Sequence, residues 1–193
     1  MKRLELRPGF VALACLAFYL CPRQVFWAWA LLCLLHEMGH LAALAVCGVR
    51  VERIRLGALG AVIETGPGSN LAEAVCALAG PAANLFAFRA LRRIEPGAAL
   101  LSMALGVCNL LPVCPLDGGR ALRAILSRYL PLDAVNAVDA AATACVLAAL
   151  GLFALRLMRS FGLLSVWGYA LLLLHIARER NLLLPRRDLS DIM

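Results

Sequence analysis

Residues 26–47 read FWAWALLCLLHEMGHLAALAVC. Two imidazoles and a carboxylate, His36, Glu37 and His40, interrupt a run that is otherwise apolar and long enough to cross a bilayer, which takes about 20 residues. Ionisable groups in hydrocarbon are costly and mark function. The spacing is H-E-x-x-H, with Met38 and Gly39 between the outer pair. On a helix, residues four apart are separated by about 40° in azimuth, so His36 and His40 share a face. Two ring nitrogens can then meet one zinc ion at roughly 2.0–2.1 Å. Glu37 is about 100° round from His36 and a poor ligand, yet it can hold a proton beside a zinc-bound water. Zinc lowers the pKa of such a water to about 7. Gly39 leaves a gap on the helix surface where another helix or a substrate backbone can approach.

Composition places this stretch in a membrane protein. The chain has 193 residues, 63% hydrophobic and 16% charged, with a mean hydropathy of +0.83. Soluble domains are nearer half apolar and a quarter charged. The basic start, Met1 to Arg7, imitates a leader, but no small-x-small cleavage site follows, so a retained N-terminus is expected. The net charge of +7 is spread over the junctions between apolar runs, as membrane topology requires, and does not signal nucleic-acid binding. Eight cysteines include no C-x-x-C pair, and most sit in apolar runs as small hydrophobes. Cys114 stands apart, three residues from Asp117, where it could add a thiolate to a metal site.

Six apolar segments are expected, at about 9–22, 25–48, 71–90, 97–118, 134–156 and 161–177. The first is short and tilted or partly inserted. With six spans, thirteen of the 19 Lys and Arg fall on one side: Lys2, Arg3 and Arg7; the loops after the second and fourth segments; and the C-terminal tail. Positive-inside reasoning makes that side, and both termini, cytosolic. Between the second and third segments, Arg53-Ile54-Arg55-Leu56 alternates and Gly57 and Gly60 break the run, which predicts a short membrane-associated β-hairpin at about 49–64. Gly66 to Asn70 is a turn cluster, with Asn70 expected to cap the next helix. The fold class is therefore all-α and polytopic, a single membrane-embedded domain over 1–193 with a short basic tail at about 178–193.

A catalytic zinc takes three protein ligands. The third histidine, His175, lies in the last apolar run just before basic residues and reads as interfacial. Asp117 is the better candidate. It follows a stretch broken by Pro112 and Pro115, and Gly118 and Gly119 allow a close turn beside it. The plainer alternative is a loop aspartate capping a helix that starts near Gly119. In the six-span topology, the second and fourth segments both run outside to inside, which brings His36, His40 and Asp117 to similar depth near the cytosol.

With those residues in place, the chain resembles the site-2 protease family of intramembrane metalloproteases, nearest to the sporulation branch. The matching parts are His36-Glu37-x-x-His40, the segment Ala79 to Asn84, and Asn109-x-x-Pro112-x-x-Pro115-x-Asp117-Gly118-Gly119, over about half the chain. The resemblance implies one zinc ion on His36, His40 and Asp117, Glu37 as catalytic acid and base, and Asn109, Pro112 and Pro115 helping to place substrate. It implies membrane-tethered protein substrates, such as a pro-sigma factor, and membrane inhibitors or regulators as partners. Asn84 follows the family's G-P-x-x-N pattern, with a role in helix packing or polar bonding rather than catalysis. The CBS domain often found in the sporulation branch is expected to be absent, because the chain stops soon after the last apolar run.

The expected activity is intramembrane endopeptidase. The rival from another class is a catalytically silent membrane scaffold or chaperone that retains a metal site. A metal transporter would show repeated halves and polar residues in several spans. The composition does not specify oligomeric state.

Overall fold

The computed structural model describes residues 3–6, 8–57, 60–66 and 68–161. The elements run β1 (Arg3–Leu6), α1 (Pro8–Leu20), α2 (Arg23–Val46), β2 (Val51–Gly57), β3 (Gly60–Thr65), α3 (Asn70–Leu91), α4 (Pro96–Asn109), α5 (Asp117–Leu126) and α6 (Leu132–Phe161). The apolar segment expected at 161–177, His175 and the basic tail lie outside the described residues, apart from Phe161.

Three helices among the described residues are long and apolar enough to cross a membrane: Arg23–Val46, Asn70–Leu91 and Leu132–Phe153. At 1.5 Å per residue α2 reaches about 36 Å, more than the roughly 30 Å hydrocarbon core. α1 has 13 residues, about 20 Å, in keeping with a short first segment. The surface of α2 is sorted against the pattern of a soluble helix. Leu32, His36, His40 and Leu44 are buried, while Trp27, Leu31, Leu34 and Met38 are exposed. Apolar groups outside and imidazoles inside suit a helix solvated by lipid.

α2 ends where the sequence offers a glycine. Gly48 takes the left-handed conformation, φ +68°. Its N–H donates to the Ala45 carbonyl and the Val49 N–H donates to Leu44. This is a Schellman closure, and it turns the chain into β2 within a few residues.

The expected hairpin is present as β2 and β3, antiparallel, with Ile54 opposite Ile63 and a register shift between Val51 and Arg53. The sheet also has a third strand that the sequence pattern missed. β1 pairs parallel to β2, and Glu5 meets Arg55 at 3.3 Å and Arg53 at 3.7 Å. The strand order is β1-β2-β3. The expected helical fold with one hairpin is thereby extended to a helical domain carrying a three-stranded mixed sheet.

Two further expectations are corrected. Ser69, not Asn70, caps α3, its hydroxyl accepting from the Ala72 N–H at 3.2 Å. The fourth segment does not remain helical to 118. α4 stops at Asn109 after 14 residues, about 21 Å. The chain then turns through Pro112 and Pro115, and Asp117 opens the separate, amphipathic α5. Gly118 and Gly119 are required at this corner. A Cβ on Gly118 would meet the Leu110 backbone, and one on Gly119 the backbone of Val113 and Cys114.

α3 is the central element, packed against α2, α4 and α5. Its inner face is lined by Ala74, Ala77, Gly80, Pro81, Asn84 and Ala87. Small side chains let helix backbones come close in a membrane. A Cβ on Gly39 of α2 would lie 2.7 Å from the Ala79 carbonyl oxygen, and one on Gly106 of α4 would lie 3.2 Å from that of Pro81. The gap left by Gly39 is thus filled by α3.

Candidate metal centre

The period of α2 turns His36 and His40 toward α3, and the corner after α4 delivers Asp117 to the same point. All three are buried, each 7% exposed. His36 Nε2 lies 3.0 Å from Asp117 Oδ2 and 3.1 Å from His40 Nε2. His40 Nε2 lies 3.2 Å from the same Oδ2. The three atoms form a nearly equilateral triangle. Ligands at roughly 2.0–2.1 Å from a tetrahedral zinc are about 3.3–3.4 Å apart, so the triangle needs to widen by only a few tenths of an ångström. Two imidazoles and one carboxylate are also a donor set that zinc takes in hydrolytic sites. The cluster fits a single zinc ion.

The surroundings favour that use. His40 Nδ1–H donates to the Cys76 carbonyl at 2.7 Å. A carbonyl only accepts, so the Nε2 lone pair is left to face the cluster. Arg120 Nη1 lies 3.6 Å from Asp117 Oδ1, which leaves Oδ2 for the histidines. Gly80 makes room. A Cβ there would run into His40 Nε2 and lie 2.8 Å from His36 Nε2. Among the described residues this is the one group of histidine, cysteine or acidic side chains close enough to share an ion. Cys114 is buried nearby in sequence but does not join it. All eight cysteines are free thiols.

Glu37 is half-buried, one residue round the helix from His36, and stands outside the ligand triangle. Asn109 is the last residue of α4, and its side-chain amide donates to the Leu105 carbonyl at 3.0 Å. Pro112 and Pro115 lie in the turn that follows, half-buried. The structure brings His36, His40 and Asp117 together and keeps Asn109, Pro112 and Pro115 along the segment that carries Asp117. A cavity of about 280 Å³ opens beside His40. It runs past Cys76, Glu73 and Arg120 to Ile63 and Thr65 of β3.

Gly80, Arg120 and the Cys76 carbonyl were not legible as site groups. Gly80 stands in the quoted Ala79-Gly80-Pro81 run, but only the α2–α3 contact reveals what it avoids. A backbone carbonyl leaves no side-chain signal.

Fold and site together define a membrane-embedded protein whose helices bring an H-E-x-x-H pair of histidines and an aspartate into a cluster able to hold a metal ion. Comparison with known proteins agrees. Residues 87–151 match the model of Peptidase family M50. The chain is 29% identical over 156 residues to a zinc metalloprotease of Methanocaldococcus jannaschii, covering 70% of this chain and 46% of that protein. It is 28% identical over 144 residues to stage IV sporulation protein FB of Bacillus subtilis, covering 65% of this chain and 50% of that one. The solved site-2 protease from Methanocaldococcus jannaschii superposes with a TM-score of 0.62 at 26% identity, covering 86% of this chain and 87% of that chain. In sequence and in fold the chain is similar to site-2 proteases. It spans about half the length of these two sequence relatives.

Proposed function

We propose that this chain is an intramembrane zinc endopeptidase that cuts a membrane-tethered protein near the cytosolic face. The observation that carries the reading is the buried triangle of His36 Nε2, His40 Nε2 and Asp117 Oδ2, with edges of 3.0–3.2 Å. The chemistry supplied by zinc when bound there is Lewis acidity, which makes water acidic enough to attack near neutral pH.

The chain's own residues do the rest. His36, His40 and Asp117 hold the ion, and Arg120 steadies the second oxygen of Asp117. Glu37 takes the proton from the attacking water and delivers it to the leaving amine. A substrate helix has its backbone bonded internally and must unwind before a carbonyl is accessible. β3, at the edge of the sheet and lining the cavity beside His40, suits an extended segment added as a further strand. Asn109, Pro112 and Pro115 border the reacting segment on the Asp117 side. Family resemblance makes a tethered pro-sigma factor a reasonable substrate class.

Six spans with both termini cytosolic follow from the Lys and Arg distribution, and reporter fusions at each end test that topology. The activity is tested with purified protein and a matched tethered precursor. Glu37→Gln is expected to abolish cleavage while keeping zinc. Undiminished cleavage would overturn the mechanism.

A further inference from the structure

The two histidines differ in what holds them. For His40 the proton on Nδ1 is fixed by the Cys76 carbonyl, 2.7 Å away. The Nδ1 of His36 faces a side chain instead, the amide of Asn84 on α3, at 3.3 Å. Asn84 is fully buried. Its Nδ2 is placed toward His36, and its Oδ1 has no hydrogen-bond partner among the described residues. Burying an amide with half its capacity unused is costly, and leucine would fill a similar volume without that cost. Packing alone therefore does not account for an asparagine here.

Side-chain amide nitrogen and oxygen are exchanged by a half-turn of the terminal torsion. With Nδ2 toward His36, Nδ1 must accept, the ring proton sits on Nε2, and that nitrogen cannot ligate. With Oδ1 toward His36, Nδ1–H donates and the Nε2 lone pair points at His40 and Asp117. The second orientation is the one compatible with the ligand triangle. The main chain at residue 84 is itself anchored, because Ser102 Oγ donates to the Asn84 carbonyl at 2.8 Å.

We infer that Asn84 is a positioning residue, whose Oδ1 accepts the Nδ1 proton of His36 and so holds that ring in its metal-ligating tautomer. The inference rests on the zinc reading above and deepens it. Asn84 touches neither substrate nor ion. It acts through His36, as an outer partner acts on a ligating histidine.

The test is zinc affinity, measured by chelator competition on the purified full chain in detergent. Asn84→Leu keeps the volume and removes the acceptor, and is expected to weaken zinc binding by about 10–100-fold. Asn84→Asp restores an acceptor and is expected to bind zinc much like the parent. Thr143→Ala removes the hydrogen bond of a buried side chain within α6, away from His36 and Asn84, and is expected to leave zinc affinity unchanged. Parent-like affinity in Asn84→Leu overturns the inference. So does an equal loss in all three variants, which would make packing the cause.

A measurement on the unsubstituted protein stands if a variant fails to fold. Nitrogen NMR of histidine-labelled, zinc-loaded protein should show His36 protonated at Nδ1 and ligating through Nε2. Ligation through Nδ1 overturns the inference. A parent chain that binds no zinc would instead sink the metalloprotease reading itself, so the two failures are distinguishable.

Discussion

α3 and the first 22 residues of α6 are spans of equal length and similar mean hydropathy, 1.5 and 1.7 over their most apolar windows. Yet 39% of the α3 window is buried inside the protein, against 11% of the α6 window. Hydropathy says that both helices tolerate lipid. It does not say which one faces the protein. The difference lies in side-chain size and polarity. α3 presents Ala77, Gly80 and fully buried Asn84 to its neighbours. α6 buries Val135 and Thr143 but exposes Leu152, Phe153 and Leu155. Lipid tails are as apolar as leucine, so large apolar side chains gain little by leaving them. Small residues gain close backbone contact, and polar ones gain partners.

Four expected outcomes sharpen or break this contrast. The largest is at Gly80. Gly80→Ala drives a methyl group into both imidazoles and is expected to abolish zinc binding and cleavage, read by metal content after dialysis. Retained zinc would mean that α3 is less tightly apposed to α2 than the contacts indicate. Next is the ion itself. Zinc at about a hundredfold over its dissociation constant is expected to stabilise the folded chain by about 2.7 kcal/mol. His40→Ala should lose that gain in thermal unfolding, while Leu152→Ala on α6 keeps it.

Overpacking comes third. Ala77 is 1% exposed, and Ala77→Leu is expected to cost about 1–3 kcal/mol. Ala148→Leu, on the exposed surface of α6, is expected to stay within about 0.5 kcal/mol. Comparable losses at the two positions, measured in the same detergent, would mean that α6 is packed against protein too. The smallest effect is at the start of α3. Ser69→Ala removes the cap and is expected to cost about 1 kcal/mol, while zinc affinity holds steady.

Legibility in the sequence followed the range of the interaction. The pairing of His36 with His40 depends on helix period alone and was readable from four-residue spacing. The hairpin was readable from Arg53-Ile54-Arg55-Leu56 and its flanking glycines. β1 was not, because a four-residue strand is defined by partners some fifty residues away, with Glu5 against Arg53 and Arg55. The fourth segment was read too long. Its apolar character continues through Val113 and Cys114, so composition hides the break at Asn109. Pro112 and Pro115 pointed to an irregular path there without saying where the helix stops. The cap of α3 was displaced by one residue because serine and asparagine are adjacent and both suit the role.

The sequence by itself determined the membrane setting, the two-histidine face of α2 and the corner that makes Asp117 available. These are local properties of period, composition and turn chemistry. Only the tertiary structure decided that Asp117 Oδ2 reaches both imidazoles, that Gly80 vacates the space they occupy, and that Cys76 and Asn84 stand behind their outer nitrogens. Those contacts join residues 36 to 81 positions apart. In a membrane they form only where small residues let the helix backbones meet.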